Sequence, residues 1–406
     1  MKDNLTKEKS NESTRCPYFK KCGGCKYINL PYEEQLKIKR ESVGIALKEI
    51  TQSGKVRTDA IIGCDDPFYY RNKVHSVFSR NSGGKIIRGI YREDSHKVVD
   101  VKGCLLEDRQ SDKIIEEVKR LLPSFKYKVY DEDDRTGWLR HVLVRSATKN
   151  GKKEYMLVLV TVSVVFPGKN NFIKAIRDKF PEITTIVQNV NDKRTSMILG
   201  ERNIICYGKG FIEDELLGLK FRISPSSFYQ INPAQTKKLY SKVIELASPG
   251  KDDIIIDAYC GTGTIGSCLA GPAKEVIGIE ANSDAVKDAV FNAKQNNIKN
   301  IRFVNEDATK WMIRYREKQR SDEIEIKSPD ILIMDPPRSG STPEFINAAS
   351  DLEIPRIVYV SCNPVTLARD LKLFLKKKYE VLSITPFDMF PWTEHVETVV
   401  LLSRRT

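Results

Sequence analysis

The chain has 406 residues, of which 40% are hydrophobic and 30% are charged, and its formal net charge is +13. This composition excludes an intrinsically disordered chain, and the lack of any apolar run long enough for a bilayer excludes a membrane-spanning protein. The length predicts two or three domains with real cores. Nine cysteines without a secretory signal indicate a cytoplasmic protein whose thiols serve metal binding or catalysis rather than disulfides.

The N-terminal region begins with fifteen polar and charged residues, which we expect to form a disordered tail. Cys16, Cys22 and Cys25 follow with C-x5-C-x2-C spacing, and Cys104 lies further along the chain. Four thiolates can complete a tetrahedral site, so the pattern predicts a metal centre. Sulfur ligation suits zinc and a 4Fe-4S cluster equally, and the spacing itself leaves both open.

The basic charge is concentrated in the first half of the chain. Residues 1–215 hold 41 lysines and arginines against 30 aspartates and glutamates, whereas residues 216–406 hold 26 against 24. Aromatic and cationic residues occur together at Tyr69-Tyr-Arg-Asn-Lys73 and Trp138-Leu-Arg-His141. Such a mixture can stack on bases and neutralise phosphates, so the first half is predicted to contact a polyanion such as RNA.

The C-terminal part, from about residue 254 onward, alternates short apolar runs with helical stretches. This pattern is typical of an α/β domain with a parallel sheet covered by helices. Seven strands are predicted: Ile254 to Asp257, Glu275 to Glu280, Ile301 to Asn305, Asp330 to Asp335, Arg356 to Ser361, Tyr379 to Thr385 and Val396 to Leu402. The last two lack a long crossover, so we expect them to pair antiparallel at one edge.

A glycine-rich segment follows the first of these strands. Gly261, Gly263 and Gly266 fit a G-x-G-x-x-G loop at a helix start, and Glu280 ends the next strand. Glycines let a cofactor approach the backbone, and a carboxylate at that strand end can hold ribose hydroxyls. Both a nicotinamide dinucleotide and S-adenosylmethionine fit this pattern.

Two later strand ends carry further candidate chemistry. Asp335 opens the stiff turn Asp-Pro-Pro-Arg after the fourth strand, and Cys362 directly follows the fifth. Carboxyl ends of parallel strands face the ligand crevice, so a thiol there indicates covalent catalysis. The alternative is that Cys362 is one more small buried apolar residue.

The order of these motifs carries a family resemblance. The glycine loop, Asp335-Pro-Pro-Arg, Ser361-Cys-Asn-Pro and His395-Val-Glu-Thr together resemble the RNA uridine-5-methyltransferase family, which makes 5-methyluridine in ribosomal and transfer RNA. The resemblance extends through most of the chain by four N-terminal strings: Tyr70-Arg-Asn-Lys73, Arg92-Glu-Asp-Ser-His96, Gly137-Trp-Leu-Arg-His141 and Ser224-Pro-Ser-Ser-Phe-Tyr-Gln230-Ile-Asn232.

Rival classes explain less of the sequence. A cytosine-5 methyltransferase would place a cysteine in the turn after Asp335, where there is none. An amino methyltransferase leaves Cys362 and Glu397 without a role, and a nicotinamide oxidoreductase explains only the glycines. A non-catalytic RNA-binding protein predicts missing catalytic residues, yet the expected ones are present.

The resemblance implies a class I, Rossmann-like methyltransferase domain with a seven-stranded sheet over residues 216–406. Before it, residues 16–215 would form a mixed α+β, β-rich RNA-binding region that carries an iron-sulfur cluster. The protein would act as a monomer on RNA, most specifically on 23S ribosomal RNA, with the transfer RNA T-loop as the alternative substrate.

The resemblance also assigns roles to individual residues. Cys362 would add to uracil C6, and Glu397 would remove the C5 proton after methyl transfer. The residues expected to contact S-adenosylmethionine are Gln230, Tyr259, Thr264, Glu280, Asp307 and Asp335, with Asp257 as a secondary candidate. Family members with the cysteine pattern bind a 4Fe-4S cluster, which here implies ligation by Cys16, Cys22, Cys25 and Cys104.

Overall fold

The computed structural model describes residues 16–52, 54–92, 95–321 and 327–405. Two seven-stranded sheets, a two-stranded hairpin and covering helices make up these residues. The tail predicted over residues 1–15 lies outside them. Across the described segments, no helix has both the length and the apolar character needed to cross a bilayer.

The described residues of the N-terminal half form five helices and seven strands. The helices are α1 (Phe19–Cys22), α2 (Tyr32–Ala46), α3 (Lys48–Thr51), α4 (Arg109–Leu121) and α5 (Lys169–Lys179). The strands are β1 (Lys73–Arg80), β2 (Ile86–Tyr91), β3 (Val98–Asp100), β4 (Leu139–Lys149), β5 (Lys152–Thr161), β6 (Ile183–Val190) and β7 (Arg202–Tyr207).

The first sheet has the strand order β3-β2-β1-β4-β5-β6-β7. Neighbouring strands are antiparallel except β5 and β6, which α5 connects as a crossover. Apolar residues of α4 and α5 pack on one face, and the opposite face packs towards the C-terminal half. Both faces of this sheet are therefore covered by apolar packing.

A short hairpin links the two halves. Its strands are β8 (Ile212–Leu216) and β9 (Leu219–Ile223), and both turn residues, Leu217 and Gly218, have positive φ. Two such residues form the tight turn that suits the twist of a hairpin. The domain boundary predicted between residues 215 and 216 lies between the last two residues of β8, and the division into domains stays a prediction.

The C-terminal half alternates helices and strands. The helices are α6 (Pro233–Ala247), α7 (Thr264–Leu269), α8 (Ser283–Gln295), α9 (Ala308–Arg320), α10 (Pro343–Asp351) and α11 (Pro364–Leu375). The strands are β10 (Ile254–Ala258), β11 (Glu275–Glu280), β12 (Ile301–Asn305), β13 (Ile331–Met334), β14 (Arg356–Ser361), β15 (Tyr379–Phe387) and β16 (Glu397–Arg404).

The second sheet has the order β12-β11-β10-β13-β14-β16-β15. The seven-stranded α/β fold predicted from sequence is confirmed, and every strand begins and ends within two residues of its predicted limits. The predicted antiparallel pair is also present, with β16 inserted between β14 and the edge strand β15. The order turns at β10 and β13, which is where a ligand crevice forms in such sheets.

Helix α2 packs on the second sheet although it is among the first elements in the chain. Val43 and Leu47 belong to the same buried core as Leu371 and Ile384. A second core joins the two sheets, because Met156 of β5 packs in one cluster with Ile333 of β13. The two halves therefore pack against each other through one continuous apolar core, which holds both of them next to the crevice.

Candidate active site

Cys362 and Glu397 lie at the same end of the β14–β16 ladder. The antiparallel register ends with Ser361 paired with Thr398, and Cys362 and Glu397 are the next residues at that end of the two strands. The two side chains are close enough for the Glu397 carboxylate to raise the pKa of the Cys362 thiol. Asn363 then caps α11 by accepting from the Val365 amide, which fixes the backbone after the cysteine.

Asp335 and Arg338 of the proline turn complete the surroundings of this pair. Arg338 is exposed, and its carbonyl accepts a hydrogen bond of 3.1 Å from the Asn363 amide. Its guanidinium donates to Nε2 of His395 at 3.4 Å. These two hydrogen bonds connect the turn to the segment after Cys362 and to the segment before Glu397.

The surroundings of Glu397, Asp335 and Cys362 favour the neutral, protonated form of each of these side chains. Glu397 is 4% exposed, and its burial, followed by the nearby Asp335, raises its pKa well above the ordinary value. Burial raises the pKa of Asp335 to about 7. Burial and then the Glu397 and Asp335 carboxylates raise the pKa of the Cys362 thiol to about 11, while Arg338 opposes the shift. A cationic ligand beside these three groups would lower all three pKa values.

Alkylation of Cys362 is expected to depend steeply on pH, because only the thiolate reacts. With a pKa of about 11 in the ligand-free protein, the iodoacetamide rate should rise about tenfold per pH unit from pH 7 to 10. Peptide mass spectrometry can follow this residue apart from the other eight cysteines. Arg338→Ala should slow labelling at pH 8, whereas a plateau below pH 9 would contradict the expected pKa.

The glycine loop forms the next part of the crevice. Gly263 has φ +73°, and a Cβ there would lie 2.7 Å from the Phe303 ring. A Cβ at Gly266 would lie 2.8 Å from Oδ2 of Asp257, which accepts from the Gly266 amide. The other Asp257 oxygen, Oδ1, is buried without a hydrogen-bond partner among the described residues. An orphaned carboxylate oxygen beside a glycine loop fits a ligand with a donor such as an amino group.

Glu280 links this loop to the start of α8. Its two carboxylate oxygens accept from the amides of Gly261 at 3.0 Å and Asn282 at 2.7 Å. Gly261, Glu280 and Asn282 line one large cavity that extends towards β6 and β7. The predicted ribose-binding carboxylate is therefore at the cavity wall, and it also fixes the backbone that a cofactor would contact.

The other predicted cofactor residues occupy several positions around the crevice. Tyr259 has φ +63°, and its hydroxyl lies 3.1 Å from Oγ of Ser341. Asp307 is exposed at the end of β12, where it caps α9. Gln230 is buried in the segment before α6. Thr264 is buried with its hydroxyl 3.0 Å from Tyr240, so its side chain already has a partner within the protein.

Sequence reasoning did not single out Arg338 or Ser341. The signal for Arg338 was present, because it is the cation of the Asp-Pro-Pro-Arg turn and the crevice otherwise holds acids. No such signal existed for Ser341, whose contact with Tyr259 depends on packing of α10 against the sheet.

The four N-terminal cysteines lie in one region without forming a ligand set. Cys16, Cys25 and Cys104 pack against a small core, and Cys22 lines a cavity with Cys25 and Cys104. Burial raises the pKa of both Cys25 and Cys104 to about 12. Within the described ranges, no three Cys, His, Asp or Glu side chains are grouped closely enough to hold a metal ion. The predicted cluster ligands therefore stay a prediction.

Comparison of this chain with known proteins identifies its family. The profile of the tRNA (uracil-5-)-methyltransferase family matches residues 175–405. An RNA methyltransferase of Bacillus cereus, described as uncharacterized, is 39% identical over 403 residues, 98% of this chain and 85% of the relative. A similarly described protein of Clostridium acetobutylicum is 40% identical over 401 residues, with the same two shares.

The chain belongs to the tRNA (uracil-5-)-methyltransferase family. Among solved structures, it is similar to the Pyrococcus abyssi tRNA (uracil-54, C5)-methyltransferase in complex with S-adenosyl-L-homocysteine. The two are 29% identical with a TM-score of 0.76 over 94% of this chain and 86% of the other. The family predicted from the motifs is confirmed, and the protein is an S-adenosylmethionine-dependent RNA methyltransferase.

Proposed function

We propose that this methyltransferase forms 5-methyluridine through a covalent bond between Cys362 and the target uracil. The observation that carries the proposal is the proximity of Cys362 and Glu397, which directly adjoin the last residue pair at the crevice end of the β14–β16 ladder. A nucleophile and a base must both reach one pyrimidine ring, and these two side chains are neighbours.

The reaction that we propose begins when Cys362 loses its thiol proton to solvent. The thiolate adds to uracil C6, and the electrons of the C5–C6 double bond move to C5 and the adjoining carbonyl as an enolate. When bound, S-adenosylmethionine supplies the methyl group of its cationic sulfonium to C5, with neutral S-adenosylhomocysteine as the leaving group. Glu397 then accepts the C5 proton, the double bond re-forms, and Cys362 leaves as thiolate. Proton removal from carbon needs a strong base, and burial raises the pKa of Glu397 accordingly.

We assign the cofactor to the crevice beside this pair. Asp257 has a buried oxygen without a partner among the described residues, which fits an amino group of the cofactor. Glu280 lines the cavity, where its carboxylate fits the ribose hydroxyls. Tyr259 and Thr264 adjoin the glycine loop in the chain and Asp307 lies just after β12, while Gln230 is assigned by resemblance alone. The raised pKa of Asp335 suits a site completed by a cation.

The RNA substrate that we propose is 23S ribosomal RNA, because the cysteine pattern resembles that branch of the family. A second candidate is transfer RNA, which the similarity to the Pyrococcus abyssi enzyme favours. In either RNA the uracil must leave its stack to reach Cys362, which favours a loop over a duplex interior.

We also propose that Cys16, Cys22, Cys25 and Cys104 hold a 4Fe-4S cluster. The surroundings of three of these cysteines support the proposal, because Cys22, Cys25 and Cys104 line one cavity together with Arg71. The buried Nε of Arg71 has no hydrogen-bond partner within the described residues, and an anionic thiolate-bound group would supply one. Ligation requires the four thiols to converge from their positions around the cavity, and the cluster would tie the N-terminal segment to the chain around Cys104.

Iron analysis tests the cluster. Protein purified without oxygen should contain about four iron atoms per chain, as a thiolate-bound 4Fe-4S cluster requires. Cys104→Ser should lower the iron content at least severalfold, whereas Cys206→Ser, on β7, should leave it unchanged. Zinc at one atom per chain, or the same iron content in both variants, would contradict the cluster.

A labelling experiment tests the reaction and its substrate together. Purified protein is incubated with methyl-labelled S-adenosylmethionine and either unmodified 23S ribosomal RNA or transfer RNA, and nucleosides are analysed by mass spectrometry. The expected result is label in 5-methyluridine from 23S ribosomal RNA. Label in transfer RNA would select the second candidate, and label in another nucleoside would refute the uracil chemistry.

A further inference from the structure

The segment of residues 388–396 joins β15 to β16 and ends directly before Glu397; we call it the β15–β16 loop. Much of its backbone is bonded to groups from distant parts of the chain. Carbonyl oxygens of the loop accept as follows: Asp388 from Gln235, Met389 from Asn232, Phe390 from Lys39, Pro391 from Tyr70, and Trp392 from the amides of Lys26 and Tyr27.

Lys39 of α2 is the charged group among these partners. Its side chain and that of Asp388 are both 0% exposed. The Lys39 Nζ lies 2.5 Å from Oδ1 of Asp388 and 3.0 Å from the Phe390 carbonyl. The second Asp388 oxygen accepts from Tyr32 at 2.8 Å and from Gln35 at 3.0 Å. One lysine therefore fixes the first and third residues of the loop.

A buried ion pair is weak support for stability, since desolvation offsets much of the attraction between the charges. Such a pair does fix geometry, because both charges lose their partner if either moves. The loop contains a residue that needs such support, because Trp392 has φ +70°, a conformation that is strained for a residue with a side chain. Its amide donates to Gln35, and its carbonyl accepts from Lys26 and Tyr27, which hold the strained residue from both sides.

The loop has a direct geometric relation to the candidate base. Phe387 and Glu397 are paired across β15 and β16, so they form the two ends of the loop. On the other side of β16 lies β14, which pairs with it up to Ser361 and Thr398, and Cys362 directly follows β14. A shift of the loop would therefore move Glu397 relative to the uracil, while the strand before Cys362 keeps its own ladder.

We infer that Lys39 is a positioning residue for Glu397, acting through Asp388 and the Phe390 carbonyl. The inference rests on the proposed function. Loss of the Lys39 contacts should slow removal of the C5 proton more than formation of the bond to Cys362. The methylated RNA adduct should then accumulate, which a purely structural role for Lys39 would not cause.

The test uses the double variant Lys39→Met/Asp388→Asn, which removes both charges and so leaves no buried ion unpaired. Lys149→Met/Glu213→Gln is the matched control, because it removes a partly buried ion pair between β4 and β8 that does not contact the loop. Each purified protein is mixed with labelled RNA and S-adenosylmethionine, and adduct and 5-methyluridine are followed over time on denaturing gels and by nucleoside analysis.

The expected result is roughly 10- to 100-fold slower adduct resolution in the Lys39→Met/Asp388→Asn protein, since small displacements of a reacting group have effects of this size. The control should resolve the adduct at the wild-type rate even if its melting temperature falls. Tyr32→Phe removes one bond to Asp388 and the acceptor of the Cys64 amide without changing a charge. It should slow resolution severalfold, and it tests the inference if the double variant fails to fold.

Two outcomes separate the inference from the function on which it rests. Wild-type turnover with normal adduct resolution in both loop variants overturns the positioning role alone. Wild-type protein that forms neither adduct nor 5-methyluridine overturns the proposed function, and the positioning role with it.

Discussion

Glu397→Gln is expected to convert the enzyme into one that stops at a covalent complex with methylated RNA. Glutamine has nearly the same shape but cannot accept the C5 proton, so Cys362 cannot be expelled. General bases contribute about 10²- to 10⁴-fold to rates, and turnover should fall by that amount. Denaturing gels with labelled RNA would detect the adduct, and the methyl label should migrate with it.

Two variants control this result. Glu380→Gln changes a glutamate on β15 that forms an ion pair with Arg405, and it should turn over normally without adduct. Cys362→Ser combined with Glu397→Gln should give no thiol adduct. Normal turnover of the Glu397→Gln protein, without any adduct on the gel, would remove Glu397 from the mechanism.

Cys362→Ser is expected to abolish methyl transfer while leaving the cofactor site intact. A serine hydroxyl is far less acidic than a thiol, so addition to C6 should fail and 5-methyluridine formation should drop by roughly 10⁴-fold or more. Calorimetry with S-adenosylhomocysteine should give a wild-type dissociation constant, because the bonds that fix the glycine loop run through Asp257 and Glu280.

The half-buried Cys206 on β7 provides the matched control, since Cys206→Ser should retain wild-type activity. A Cys362→Ser protein that still forms 5-methyluridine at a substantial rate would contradict covalent catalysis. A protein that loses cofactor binding as well would place Cys362 in the cofactor site instead.

The second sheet could be predicted because its strands are continuous apolar runs ending in distinctive residues. Ile331–Met334 before Asp335 and Arg356–Ser361 before Cys362 are buried almost throughout, as central strands are. The proximity of Cys362 and Glu397 could only be suggested by family resemblance, because it depends on β16 entering between β14 and β15 in one register. Propensity within a segment contains no information on that register.

Other features could not be predicted for the same reason. Lys39 and Gln35 lie on a helix rich in charge, and such positions normally face solvent. They are buried because Asp388 and Trp392, from the far end of the chain, cover them. Thr264 was expected to contact the cofactor, yet its hydroxyl lies beside Tyr240 of α6, a contact that no local pattern indicates.

The bond between Lys39 and Asp388 also has a consequence for biosynthesis. The two residues are 349 positions apart, so at about 5–20 residues per second a ribosome reaches Asp388 about 20 to 70 s after Lys39. Until then α2 must keep its ammonium group solvated, and the apolar residues beside it lack most of the core that they later join. The segment before Glu397 is thus fixed only at the end of synthesis, and a nascent chain released before Asp388 is made carries the glycine loop but lacks Glu397.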